Sequence, residues 1–216
     1  MKKIFITNLG GKCFGHFMIK HIKKFSNRYT PLFCPFGNMR FNNGFSDVYK
    51  VFNRIFLKEL FVSTDKIKKD EFIRRDGVHI EYFYTKSLRI MHANMNSEKD
   101  IKKIKWRYRH FFKVKRKTKN IIFLYSLCEF DVDKTVDEIK EACEKLKKYI
   151  DINNLYIIGS VANKEEDSPW WFDYHNSNFK EIFGDRYIEI ENANAGNMME
   201  CTEKLLKKLG TIGICE

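Results

Sequence analysis

Two apolar runs, "NIIFLYSL" at 120–127 and "NLYIIGSV" at 154–161, constrain this chain more than any other feature. Neither alternates polar with apolar residues, so each reads as a strand covered on both faces, as strands of parallel sheets are. Between them "VDEIKEACEKLKKYI" repeats its apolar residues at helical spacing. Strand, amphipathic helix and strand in that order specify a right-handed parallel crossover, because a two-residue hairpin cannot join parallel neighbours.

The N-terminal region repeats the unit. "KIFIT" reads as a strand, "NLGG" as a turn, and "KCFGHFMIKHIKKF" as a helix whose apolar face carries Phe14, Phe17, Met18, His21, Ile22 and Phe25. His16 falls on the opposite, outward face. "PLFCPFGN" at 31–38 is a loop or short extended piece because of its prolines. "DVYKVFNRIFLKELF" at 47–61 reads as an amphipathic helix capped by Ser46 or Asp47. Segments 78–84 and 88–94 form a β-hairpin around "TKS", with His92 near its end, and a basic helix spans 98–115. A polar loop carries Trp170 and Trp171, "RYIEIE" is a strand, and "MMECTEKLLKKLG" is a helix ended by Gly210. The expectation is an α/β single-domain sandwich over 1–216, with a mostly parallel sheet plus the hairpin.

The formal charge is +12, and its distribution says more than its sum. Residues 101–119 hold ten Lys or Arg and no acid. Such a face attracts anions, and an anionic small-molecule or glycan-type substrate is the expected partner. Trp106, Tyr108, Phe111 and Phe112 on the same helix fit one stripe packed on the sheet, so nucleic acid is not the expected partner. The six cysteines are scattered without a CxxC pair, which reads as reduced thiols. No run approaches the roughly 20 apolar residues of a membrane span. The apolar stretch of "MKKIFITNLGG" falls short of the roughly 7–15 residues of a signal-peptide core, so the expected location is cytoplasmic.

Glycines at a helix start can cradle an anion on free N–H groups, which makes Gly10, Gly11 and Lys12 candidate binding residues. The Walker pattern fails at Ile6 and Cys13, and Gly10 with Gly15 does not make GxGxxG, so no nucleotide cofactor is called for. No zinc spacing is matched by Cys13, His16, His21 and Cys34, and no metal is expected. Cys13 stands where the positive end of a helix favours thiolate over thiol. A thiolate nucleophile needs a base. His92, beside Asn94 at a strand end, is the candidate, because sheet-terminal loops are where α/β folds collect chemistry. "CEFDVD" supplies carboxylates after a buried strand; Asp133 is placed to cap the next helix, and Asp131 is left to orient a histidine.

In order, "LGGKC", "PFGNM", "VFNRIFLKEL", "IMHAN", "WRYRHFF" and "NIIFLYS" resemble a bacterial family described as papain-like cysteine peptidases, a domain family of unknown function. The resemblance covers about residues 3–127. It implies Cys13 as nucleophile and His92 as base, and a papain-like α+β fold as the alternative to α/β. Gly37 and Asn38 stand where the family usually has an Asp–Trp pair, and Ala93 follows His92 where an acid is common, which leaves Asn94 or Asp131 as the orienting group. The leading expectation is a cysteine-dependent hydrolase or acyl transferase, with a role in surface-glycan metabolism. The rival is a non-catalytic or transferase-like protein that binds an anionic sugar or nucleotide through Arg107, Arg109 and the Gly10–Gly11 turn, and a nucleic-acid binder comes third.

Overall fold

The structure is a computed structural model and describes residues 3–11, 13–34, 39–53, 68–73, 79–84, 88–91, 97–162, 173–193 and 196–211. Strands β1 (Ile4–Gly11), β2 (Tyr29–Pro31), β7 (Ile121–Ser126), β8 (Leu155–Val161) and β9 (Tyr187–Glu191) build one parallel sheet in the order β2-β1-β7-β8-β9. A second, antiparallel sheet of β3 (Met39–Phe41), β4 (Lys68–Ile73), β5 (His79–Tyr84) and β6 (Leu88–Met91) runs in the order β3-β6-β5-β4. Five α-helices are described: α1 (Cys13–Phe25), α2 (Glu98–Lys117), α3 (Val136–Lys147), α4 (Ser177–Phe183) and α5 (Met198–Thr211), with a 3-10 helix over Gly44–Phe52.

Counted over the parallel strands alone, the order is 2-1-3-4-5, one of the doubly wound arrangements. Helices cover both faces, which is why β7 and β8 are apolar without alternation. Ile6, Ile122, Leu124, Ile158 and Ile188 face Phe14, Met18 and Ile22 of α1 and Leu205 and Leu209 of α5. On the other face Leu9, Phe123, Tyr125 and Ile157 pack with Phe45, Val48 and Phe52 of the 3-10 helix, Phe111 of α2, Ile139 and Leu146 of α3, and Phe179 and Phe183 of α4. The expected α/β class is the observed one. The papain-like α+β alternative differs from it: the strands beside the cysteine helix are parallel, and the antiparallel strands form an open sheet of their own.

Several local expectations shift. The hairpin pairs as expected, Tyr82 opposite Met91 and Tyr84 opposite Arg89, but it gains β4 and β3 on either side. The segment expected as a helix from 47 begins three residues earlier and is 3-10; Ser46 and Asp47 lie inside it, and Asn43 precedes it without a side-chain cap. The expected continuation through Ile55, Phe56 and Leu60 lies outside the described residues. Helix α3 is capped by Thr135 rather than Asp133, in a capping box with Glu138: Glu138 N–H donates to Thr135 Oγ1 at 3.3 Å, and Thr135 N–H donates to Glu138 Oε2 at 2.9 Å. Helix α5 runs through Gly210 to Thr211. On α2 the aromatics divide: Phe111 is buried, Tyr108 and Phe112 pack beside it, and Trp106 faces away from the core at 61% exposure. Trp106 is five residues from Phe111, or 140° round the helix, so one stripe cannot hold both. Among the described residues no helix is long and apolar enough to cross a membrane.

Candidate active site

In a doubly wound sheet, the connections leave in opposite directions at one point, and the crevice there, outside the carboxyl ends of the strands, is where ligands bind. Here β1 connects to β2 on one side, and the chain later returns to β7 on the other. The switch point therefore lies between the ends of β1 and β7, where Gly11 is the register partner of Ser126 and α1 begins two residues on.

Close packing governs this corner. Gly10 and Gly11 end β1 at φ +124° and +81°, conformations that suit only glycine, and the register with β7 shifts between Asn8 and Gly11. A Cβ on Gly11 would lie 1.8 Å from the Ser126 carbonyl oxygen. One turn into α1, a Cβ on Gly15 would lie 2.3 Å from Ser126 Oγ and 3.0 Å from the Asn8 carboxamide, so the helix start is seated directly on the strand ends. With its amide nitrogen turned toward them, Asn8 donates to the Leu124 and Gly10 carbonyls at 3.0 and 3.2 Å. The glycine that matters here is Gly15. The spacing rules missed it because it belongs to no phosphate-loop pattern, although a small residue in a helix's first turn is a packing signal.

Cys13 is the first residue of α1, whose first turn contains no acid. His16, expected on the outward face, is buried at 2% exposure. Its ring lies 5.7 Å from that of Phe33 and 6.2 Å from that of Phe17. Phe33, on the chain that follows β2, packs beside the histidine, a long-range contact that periodicity within one helix cannot reveal. His21, expected on the apolar face, is only partly covered; burial first, then the charges of Lys24 and Lys20, lowers its pKa. His92 and Asn94, like Lys12, Trp170 and Trp171, lie outside the described residues.

Asp131 is placed, but not as an orienting group for a histidine. It is fully buried; Oδ1 accepts from Phe45 N–H at 2.7 Å, and Oδ2 accepts from Tyr125 Oη at 2.8 Å, Cys128 N–H at 3.0 Å and Cys128 Sγ at 3.2 Å. Four donors match the roughly four lone-pair positions of a carboxylate, which leaves none for an imidazole. Burial raises the Asp131 pKa against the pull of these bonds, and it also pushes the Tyr125 hydroxyl and the Cys128 thiol up. The Asp131 carbonyl in turn accepts from Asn176 Nδ2 at 2.8 Å. Asp131 thus ties the 3-10 helix, the end of β7 and the start of α4 together. Gly44, at φ +52°, makes room for it: a Cβ there would lie 2.2 Å from Oδ1.

The two arginines expected to grip one anion are separated. Arg107 is half-buried with its guanidinium 5.8 Å from the Phe33 ring centroid, whereas Arg109 is exposed, since positions two apart on a helix do not share a face. Burial lowers the Arg107 pKa, partly offset by Cys34 and Asp100, and no acceptor hydrogen-bonds to it among the described residues. No group of His, Cys, Asp or Glu able to hold a metal ion occurs among the described residues. The class that the fold defines is a doubly wound α/β protein with its topological switch point between β1 and β7. No family model, no curated protein and no solved structure matches the chain.

Proposed function

We propose that the protein is a cysteine-dependent hydrolase or acyl transferase with Cys13 as nucleophile. The observation that carries this reading is the position of Cys13: it heads a 13-residue helix at the switch point of a doubly wound sheet. The helix end, worth about half a positive charge, favours the thiolate. The sulfur attacks a substrate carbonyl, and free N–H groups of the first helical turn receive the oxyanion. A histidine takes the thiol proton and returns it to the leaving group, and water or a second acceptor then releases the acyl group. His92 is the base that the family resemblance implies. His16, one turn beyond Cys13 and buried, is a second histidine for the role. Arg107, half-buried and without a hydrogen-bond acceptor among the described residues, supports an anionic substrate of small-molecule or glycan type.

Iodoacetamide labelling across pH, read by peptide mass mapping, tests the reading. Cys13 is expected to titrate below the free thiol value of about 8.5. Of His16→Ala and His92→Ala, the one that raises the titration point identifies the base. A Cys13 that titrates at or above the free value in the intact protein overturns the proposal.

A further inference from the structure

The outer face of α2 has no part in that chemistry. Lys99, Lys102, Lys103, Arg109, Lys113 and Lys117 fall within about 120° of one another round the helix and are all exposed, so they form one stripe along it. In its middle stands Trp106, 61% exposed, with its ring stacked on that of His110 at 5.1 Å and 4°. Among the described residues the only ion pair on the stripe is Lys102 with Glu98 at 2.7 Å, both exposed; Lys103, Arg109 and Lys113 pair with no described carboxylate.

We propose that this face binds single-stranded nucleic acid, with the cations tracking phosphates and Trp106 stacking on a base. Charge complementarity selects a polyanion. The exposed indole, parallel to the His110 ring, selects one whose flat rings are free to stack, which a duplex does not offer and a single strand does. An anionic membrane fits less well, since an interfacial helix needs an apolar face to bury and that of α2 is already spent on Phe111 and Ile104 in the core. The proposal does not depend on Cys13.

Fluorescence anisotropy with labelled dT20 and U20 tests it, against a 20-base-pair duplex, heparin and phosphatidylserine-containing vesicles. Single strands are expected to bind best, with a log–log salt slope between about −2 and −4, the upper limit being about 0.7 for each of six cations. Trp106→Ala is expected to weaken binding by about tenfold or more and Trp106→Phe to restore most of it. Lys103→Glu with Lys113→Glu is expected to abolish binding while leaving the far-ultraviolet circular dichroism unchanged. Equal affinity for heparin, duplex or vesicles, or an affinity unchanged by Trp106→Ala, overturns the proposal in favour of a solvated basic face.

Discussion

Gly44→Ala tests the latch at Asp131 most directly. Gly44 has φ +52°, and an alanine Cβ would stand 2.2 Å from Asp131 Oδ1, 2.9 Å from its carboxyl carbon and 3.1 Å from the Phe130 carbonyl oxygen. Two costs combine. Holding a residue with a side chain in a sparsely populated backbone region costs about 1–3 kcal/mol. Displacing the carboxylate stretches the buried bond from Phe45 N–H, and a bond to a charged group contributes about 1.5–3 kcal/mol. The sum, roughly 2.5–6 kcal/mol, is a large part of a total stability of about 5–15 kcal/mol. At about 2–4 °C per kcal/mol for a chain of this size, Tm should fall on the order of 10 °C. Gly184→Ala is a backbone control: at φ +52° and ψ −125° it is strained for any side chain, but no described atom lies within 4 Å of its Cβ, so its loss is a backbone cost alone. Thermal melts followed by circular dichroism, with urea midpoints beside them, measure both. If Gly44→Ala loses no more than the roughly 1–3 kcal/mol that the backbone alone costs, the contact with Asp131 contributes nothing and the latch is wrongly assigned.

Two further outcomes follow from the geometry. The Thr135 backbone N–H, then the Lys134 ammonium, holds the Glu138 carboxyl down at about 2. A depressed carboxyl stabilises the fold above its unfolded pKa of about 4.3, and that contribution is lost as pH falls from there toward 2, so Glu138→Gln should flatten the acid limb of a Tm-against-pH curve; an unchanged limb refutes the capping box. Ser126 Oγ is buried without a hydrogen-bond partner among the described residues, so Ser126→Ala should raise Tm slightly, by up to about 1 kcal/mol of stability, and a clear fall would mean the hydroxyl has a partner.

What was legible in the sequence was what depends on near neighbours. The unbroken apolar runs of β7 and β8 required cover on both faces, and that alone led to a parallel α/β sheet. The glycine pair and the helix beginning at Cys13 could be located from local chemistry. The burial of His16 could not, because the ring beside it, Phe33, comes from the chain that follows β2 and not from the helix itself. The spacing on α2 is compatible with several docked faces, and which side meets the core decides whether Trp106 is packing or surface.

The role of Asp131 lay furthest from view, because its partner Phe45 is 86 positions away. In the sequence, Asp131 is a carboxylate just after a buried strand, and that description fits an orienting group for a histidine as well as it fits a structural latch. Periodicity by itself determined which strands are buried and which segments are helices, since both follow from how often a side chain returns to one side of its own backbone. Only the tertiary structure decided which faces meet and which polar atoms find partners, since a carboxylate's role is set by the donors that long-range packing brings to it.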